Sequence, residues 1–168
     1  MFHIISIPSR RVPVLIGEEG QTKKHIEKNT GAKLKVDLDG CIEIEGEAEG
    51  VLTAINIAKA IGRGFRPERA FLLLKEDYQL NIIPIEGSES ARKRISSRVI
   101  GKQGGSRKNV ERLTGAFVCI YGKTISVIGE GRRVAAATSA IEDLIDGRTH
   151  AFVYSKLERA KKNWQEID

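Results

Sequence analysis

The chain has 168 residues, 40% hydrophobic and 30% charged, which is enough for one domain or two small ones. It has no apolar run near the roughly 20 residues that a membrane span requires and no leader of the secretory type, so we expect a cytoplasmic protein. The net charge of +6 lies in the second half: residues 82–168 hold 16 Lys and Arg against 10 Asp and Glu, whereas residues 1–81 hold 12 of each. A basic half of this kind favours a polyanionic partner.

The first half predicts strands and helices in the order βααββα. The loop Gly17-Glu18-Glu19-Gly20 separates the first two helices, and Thr30-Gly31 ends the second. The predicted elements are strand Phe2–Pro8, helices Val12–Ile16 and Gln21–Asn29, strands Ala32–Val36 and Cys41–Glu45, and helix Glu47–Ile61.

A short apolar segment, Glu68–Lys75, follows Pro67 and predicts a linker helix. After it, the second half repeats the βααββα order around the loop Gly101-Lys102-Gln103-Gly104. The predicted elements there are strand Leu80–Ile85, helices Glu89–Ile100 and Arg107–Leu113, strands Ala116–Tyr121 and Thr124–Ile128, helix Gly131–Ile145 and a tail helix Tyr154–Asp168.

The two halves are copies of one small module. Seven residues of the first half recur 84 positions later: Gly17, Gly20, Lys24, Glu27, Thr30, Gly31 and Ala32 match Gly101, Gly104, Lys108, Glu111, Thr114, Gly115 and Ala116. The hairpin turn of the second copy is one residue shorter, and beyond it Ile42, Gly46 and Ala54 recur 83 positions later. Identity at these positions, in the same order of elements, indicates an internal duplication.

The loop Gly101–Gly104 has the properties of a phosphate-binding turn. Glycine lets the backbone approach a ligand closely, and the start of a helix attracts anions. The basic side chains around this loop are Arg92, Lys93, Arg94, Arg98, Lys102, Arg107, Lys108 and Arg112, against only Glu89 and Glu111. The residues therefore indicate binding of a single-stranded nucleic acid, RNA in particular, rather than a solvated turn.

The βααββα order with an Ile-Gly-x-x-Gly loop, at Ile16–Gly20 and again at Ile100–Gly104, resembles the type I KH domain. KH domains hold about four nucleotides of single-stranded nucleic acid at this loop. The resemblance implies an α+β protein of two type I KH domains in tandem, with a short helical linker and a C-terminal helix. The implied limits are 1–63 for the first KH domain, 64–80 for the linker, 81–148 for the second KH domain and 149–168 for the tail.

A narrower resemblance covers essentially the whole chain. It rests on three stretches: Gly62–Ala70 (GRGFRPERA), Arg98–Lys102 (RVIGK), and Gly147–His150 (GRTH) with Val153 and Tyr154. They are similar to the archaeal tandem KH-domain ribosome-assembly family whose eukaryotic counterpart is the partner of the Nob endonuclease. The resemblance implies binding to small-subunit rRNA near its 3′ end during maturation. It also implies contacts with the alpha subunit of initiation factor two and with a pre-rRNA nuclease.

We predict that the second loop and its surroundings bind RNA. Lys102 and the loop amides would hold phosphates, flanking basic residues would add positive charge, apolar residues before the loop would support bases, and the strand Ala116–Tyr121 would form the opposite wall. The predicted site consists of Ile95, Arg98, Val99, Ile100, Gly101, Lys102, Gln103, Gly104, Arg107, Lys108, Val118 and Ile120.

The first loop departs from this pattern, because Glu18 and Glu19 occupy its two middle positions. Carboxylates stabilise the start of a helix but repel a phosphate from the same amides. We expect either a weaker RNA contact there or a structural or protein-binding role. The residues of that weaker contact would be Gly17, Gly20, Lys23 and Lys24.

Two alternatives to an rRNA-binding factor stay open. One is a protein-interaction scaffold that contacts a translation factor or nuclease, and the other is a general KH regulator of mRNA or single-stranded DNA. Two interpretations also stay open for His150, an RNA contact or a packing residue, and for Trp164, a partner anchor or a packing residue.

The sequence predicts no enzyme, cofactor, metal site or small-molecule substrate, and no membrane partner. It contains no G-x-x-x-x-G-K-[ST] phosphate loop and no G-x-S-x-G nucleophile elbow. Its His, Cys and carboxylate residues do not have the spacing of metal ligands. We therefore expect a protein that positions its ligand rather than one that catalyses a reaction.

Overall fold

The computed structural model describes residues 1–167 and divides into two compact units, one from Met1 to Tyr78 and the other from Gln79 onward. Each unit contains a three-stranded sheet with helices packed against its apolar side. The predicted α+β class and the βααββα order of each half are confirmed. The predicted domain limits within this order stay a prediction.

The first unit has the strand order β1-β3-β2, and all its strand pairs are antiparallel. The register places Ile5 opposite Ile42 and Leu34 opposite Ile44, so these side chains share one face and are buried under the helices. The elements are β1 (Phe2–Ser6), α1 (Val12–Ile16), α2 (Gln21–Thr30), β2 (Lys33–Val36), β3 (Cys41–Glu45), α3 (Ala48–Gly62) and α4 (Pro67–Ala70).

The predicted linker helix is shorter than expected. After α4 the chain tightens into a 3-10 turn over Phe71–Leu74. This turn and α4 pack on α3, with Ala70 and Leu73 buried. The apolar residues of this segment therefore contribute to the core of the first unit.

The second unit has the strand order β4-β6-β5. Its core is formed by the inner face of the sheet and the apolar sides of four helices, with Val127, Ile125, Ile141 and Leu144 almost wholly buried. The elements are β4 (Tyr78–Pro84), α5 (Glu89–Ile100), α6 (Gly105–Thr114), β5 (Phe117–Tyr121), β6 (Thr124–Glu130), α7 (Gly131–Ile145) and α8 (His150–Ile167).

The tail is a helix that packs on the second unit. It begins at His150, four residues before the predicted start, and its Val153 and Leu157 are buried against α6 and α7. Near its end, the Trp164 ring lies 5.9 Å from the Arg132 guanidinium and 5.3 Å from that of Arg133. This cation–π contact favours the packing interpretation of Trp164. Asp168, the last residue of the predicted tail, lies outside the described residues.

Several observations limit the chemistry of the described chain. Cys41 and Cys119 are half-buried, and no disulfide joins them. Burial, followed by the nearby carboxylates of Asp37, Asp39 and Glu43, raises the pKa of the Cys41 thiol above its ordinary value. Within residues 1–167 no group of three or more His, Cys, Asp or Glu side chains could hold a metal ion. No helix in the same range has the length and apolar content to cross a bilayer.

Candidate nucleic-acid interface

The Gly101–Gly104 loop is a tight turn between α5 and α6. Gly101 (φ 74°, ψ 177°) and Gly104 (φ 73°, ψ 13°) have the positive φ angles that glycine favours. Gln103 also has a positive φ, 56°, which a side chain rarely adopts. The amides of Gly104 and Gly105 donate to the carbonyls of Gly101 and Lys102 and close the turn. Backbone strain of this kind clusters at ligand-binding sites.

The close approach of Ser106 also requires glycine at position 101. A Cβ at this position would lie 2.6 Å from the Ser106 Cβ and 2.7 Å from the Ser106 backbone nitrogen. Ser106 is buried in the first turn of α6. The missing side chain therefore lets the loop sit directly against the start of α6, where the helix dipole favours an anion.

Two lysines give this loop its positive charge. Lys102 lies in the loop itself and is exposed. Lys108 is exposed as well, and its Cε is 3.7 Å from the position that a Cβ of Gly104 would occupy. Both side chains are therefore exposed near the loop, and their predicted contacts with phosphate stay a prediction.

Arg107 lies near the same loop but is committed to an ion pair. Its Nη1 is 2.6 Å from Glu111 Oε1, one helical turn away. The other carboxylate oxygen of Glu111 accepts the backbone N–H of Val118 at 2.9 Å. Glu111 therefore ties α6 to the edge strand β5 and offsets the charge of Arg107. The predicted role of Arg107 as flanking charge for RNA stays a prediction.

Arg98 holds the end of α7. Its Nε donates to the Leu144 carbonyl at 2.8 Å, and its Nη2 donates to the Arg148 carbonyl. The last carbonyls of a helix lack intrahelical partners, and the guanidinium binds one of them, Leu144, together with a carbonyl of the turn that follows the helix. The structure thus gives Arg98 a capping role, and its predicted role as flanking charge for phosphate stays a prediction.

The apolar members of the predicted site divide into accessible and buried residues. Ile100 is 37% exposed next to the loop, and Ile95 and Ile120 are half-buried at the edge of the core. Val99 is 0% exposed and Val118 is 3% exposed. Both side chains belong to the core and support the surface from beneath. The predicted places of Val99 in the apolar floor and of Val118 in the opposite wall stay predictions.

The first unit repeats this loop with different chemistry. Gly17 (φ 76°, ψ 174°), Glu19 (φ 55°) and Gly20 (φ 73°, ψ 14°) have the angles of their counterparts in the second loop to within a few degrees. Thr22 takes the place of Ser106, with its Oγ1 2.3 Å from where a Gly17 Cβ would lie. The backbone cradle is therefore kept, while exposed Glu18 and Glu19 occupy the positions of Lys102 and Gln103.

The lysines that were predicted for the first loop have two different environments. Lys24 is exposed, with its Cε 3.9 Å from the position of a Gly20 Cβ. Lys23 lies 4.0 Å from Glu27, whose other oxygen accepts the Leu34 backbone N–H at 2.9 Å. The Glu27–Leu34 bond is the counterpart of the Glu111–Val118 bond in the second unit.

The strand-holding glutamates are the residues that the sequence prediction missed. Glu27 and Glu111 appear among the repeated identities, but nothing in their spacing indicates that they accept a strand N–H seven residues later. The signal that could have found them is the repeat itself, because a carboxylate that recurs in both modules at a helical position is constrained by something outside its own helix.

Comparison with known proteins agrees with this geometry. A family model described as a eukaryotic-type KH domain, KH-domain type I, matches residues 79–162, and a general KH-domain model matches residues 2–60. A KH domain-containing protein of Methanocaldococcus jannaschii is 44% identical over an alignment of 167 residues, and the match covers 95% of this chain and 74% of that protein. The chain belongs to the KH-domain family. The prediction of two type I KH domains in tandem is confirmed.

Solved structures place this KH protein among archaeal relatives. Dim2p from Pyrococcus horikoshii is 42% identical with a TM-score of 0.87, over 95% of this chain and 99% of that one. A second structure, the complex of a/eIF2alpha, aDim2p and rRNA from the same organism, matches at 42% identity with a TM-score of 0.89, over 97% and 95%. A protein of unknown function from Aeropyrum pernix is 32% identical with a TM-score of 0.93, over 99% and 94%. The predicted resemblance to the archaeal ribosome-assembly family is confirmed.

Proposed function

We propose that this KH protein binds single-stranded rRNA through the Gly101–Gly104 loop and holds it near the 3′ end of the small-subunit rRNA during ribosome maturation. The observation that carries the proposal is the strained, glycine-bounded loop at the start of α6, with Lys102 and Lys108 beside it. Its similarity to an archaeal Dim2p crystallised with rRNA supports the choice of ligand. In this proposal residues 81–148 are the RNA-binding KH domain, residues 1–63 the degenerate one, residues 64–80 the linker and residues 149–168 the tail.

The mechanism is positioning rather than catalysis. The loop amides and the two lysines hold the phosphates of about four nucleotides, and Ile100 offers an apolar contact next to them. β5 forms the opposite wall, fixed to α6 through Glu111. An RNA segment held in this way is kept extended and shielded, which suits a cytoplasmic factor that guides or protects a cleavage site on pre-rRNA.

The alpha subunit of initiation factor two is the protein partner that we propose, because a related Dim2p was crystallised with it and rRNA together. A pre-rRNA nuclease is proposed as a further partner on the family resemblance alone. Purified alpha subunit should bind the full chain whether or not the second loop can bind RNA. Loss of alpha-subunit binding in the loop variant described next would contradict separate surfaces for the two partners.

A titration with oligonucleotides of the small-subunit rRNA 3′ end tests the RNA site. The double variant Lys102→Asp, Gln103→Asp places two carboxylates in the loop and should abolish binding of the full chain. Lys162→Asp, Gln165→Asp makes the same chemical change at two exposed positions of α8 and should retain it. With about four phosphates neutralised, the log–log slope of affinity against salt should be roughly −3 for the wild type. A slope near zero, or equal loss in both variants, would contradict the proposal.

Crosslinking followed by sequencing identifies the natural ligand. Reads should concentrate near the 3′ end of the small-subunit rRNA and disappear in the loop variant. Reads scattered over mRNA would leave the binding site unchanged, but they would contradict a role in rRNA maturation and favour a general regulator of mRNA.

A further inference from the structure

A second concave surface adjoins the Gly101–Gly104 loop. It is a cleft of about 660 Å³ between α5 and the turn that joins α7 to α8, and Gly101 and Lys102 form one of its ends. We call it the α5–α7 cleft. At its other end, Arg94 and Ser97 also line a further concavity that runs toward Ser88 along α5. A cleft that continues at both ends suits a polymer better than a compact small molecule.

The lining of the α5–α7 cleft has the composition of a nucleotide site. Ile95 and Ile145 provide apolar surface, and Arg94 and Lys102 provide exposed positive charge. Asp146 is the carboxylate among the lining residues. The volume lies in the range of ligand pockets, which are mostly apolar with a few placed polar groups.

The back of the cleft is held rigidly. The Arg98 guanidinium donates to the carbonyls of Leu144 and Arg148 on the opposite wall. The His150 Nε2 lies 3.1 Å from the Arg98 carbonyl oxygen, which joins the start of α8 to α5. The two walls are therefore tied together, and the cleft exists before any ligand arrives.

The lining of the cleft is only partly shared with the first unit. Arg94 has a counterpart there, Arg10, whereas Glu18 replaces Lys102, Val14 replaces Arg98 and Pro67 replaces His150. The lysine of the loop and the imidazole ring of the cleft therefore occur together in the second unit. Because Lys102 belongs to both the loop and the cleft, one ligand can contact both.

We propose that the α5–α7 cleft binds a nucleotide that flanks the segment held at the Gly101–Gly104 loop. Its phosphate contacts Arg94 and Lys102, and its base lies on the apolar surface of Ile95 and Ile145 beside the His150 ring. This inference rests on the proposed function, because it extends the same RNA strand beyond the loop. It makes the RNA footprint of the second unit longer than about four nucleotides.

An oligonucleotide length series tests the cleft. Crosslinking at Lys102 first defines the short rRNA segment on the loop, and the full chain is then titrated with that segment and with versions lengthened by one or two nucleotides at each end. Lengthening at one end should raise the affinity of the wild type about tenfold, the size expected for one stacked base. Arg94→Ala should lose most of this gain and bind the short segment within about twofold of the wild type.

A second variant and a matched control complete the test. His150→Gln should also lose the gain, and 2-aminopurine at the added position should be quenched by the wild type but not by either variant. Arg159→Ala removes one exposed arginine of α8 outside the cleft and should keep the full gain. If lengthening adds no affinity to the wild type, or if Arg94→Ala weakens short and long segments equally, the cleft is not a subsite, while the loop proposal stands. If the short segment does not bind at all, both proposals fail.

Discussion

Gly101 is the residue on which the loop geometry depends most directly. Its φ of 74° and ψ of 177° lie in a region that is essentially restricted to glycine, and a Cβ would meet Ser106 at 2.6 Å. Gly101→Ala should therefore destabilise the second unit by about 1–3 kcal/mol, as measured by denaturant unfolding.

Gly105→Ala is the matched control for this substitution. Gly105 has helical angles, φ −62° and ψ −40°, and a Cβ there would meet nothing within 4 Å. Alanine should be neutral or stabilise the protein by roughly 0.5–1 kcal/mol, because it reduces the freedom of the unfolded chain. Equal destabilisation by both substitutions would show that the loop tolerates no side chain for a reason other than its angles.

Glu111 provides a second prediction about a single residue. Glu111→Ala leaves the Val118 N–H without its acceptor and removes the carboxylate that pairs with Arg107, which should cost about 1–3 kcal/mol of unfolding free energy. Glu111→Gln keeps an acceptor oxygen and should cost less. Hydrogen exchange at the Val118 amide should be much faster in the alanine variant. Unchanged protection there would mean that the carboxylate does not hold β5.

Residue roles were less predictable from the sequence than residue positions. The cluster of arginines around the loop indicated phosphate binding, yet Arg98 and Arg107 use their charge inside the fold. Both are basic residues near a glycine loop, and only the position of a distant carbonyl or carboxylate separates a cap from a ligand contact. The direction of the Val118 side chain was open at the level of sequence, because alternation along β5 does not by itself tell which face lies toward the helices.

At the scale of elements, the joint between α5 and the end of α7 depends on Arg98. Arg98→Ala removes two hydrogen bonds, one to the last turn of α7 and one to the turn after it, and should lower the unfolding free energy by roughly 1–3 kcal/mol. Arg94→Ala, one turn earlier on α5 and exposed, should change stability by less than about 0.5 kcal/mol. Thermal melts of the two variants measure the difference. Similar melting temperatures would remove the structural role of Arg98.

Helices and strands bounded by strong local signals were predictable to the residue. The helices Val12–Ile16, Glu89–Ile100 and Gly131–Ile145 and the strand Cys41–Glu45 have the predicted limits. The segment after Pro67 was less predictable, because four apolar residues in a row fit a 3-10 turn against α3 as well as a regular helix. The start of α8 was predicted too late because residues 150–152 show no clear helical periodicity. The side of the helix that packs on the unit is defined by the buried residues Val153 and Leu157.

At the scale of the whole molecule, the two loops share one backbone conformation but differ in the charge of their side chains. The change Glu18→Lys, Glu19→Gln gives the first loop the side chains of the second on angles that already match. The full chain should then bind single-stranded RNA more tightly, and the log–log salt slope should steepen by about 0.7 for each additional phosphate that the protein neutralises. Titration over a salt series provides the measurement. No change in slope would mean that the two side chains alone do not account for the difference in RNA binding between the loops.

The duplication itself was the most predictable property of the molecule. Identities at a fixed spacing predicted two copies of one module, and both copies fold with the same strand order. What the repeat could not predict is how each copy diverged in use, because the loop charge and the lining of the α5–α7 cleft differ through side chains at matching positions.

The capping of the third helix shows how far this divergence can proceed without loss of structure. In the first unit Arg11 donates to the carbonyls of Ile61 and Phe65 at 2.8 and 2.9 Å, and these carbonyls are the counterparts of those that Arg98 binds. Yet Arg11 aligns with Ile95, not with Arg98, so the donor has moved by one helical turn while the bond has persisted. An alignment scores both positions as unrelated. The two units therefore share this interaction although they do not share the residue that makes it. Assigning the role of this arginine to a homologue by aligned position alone would name the wrong residue.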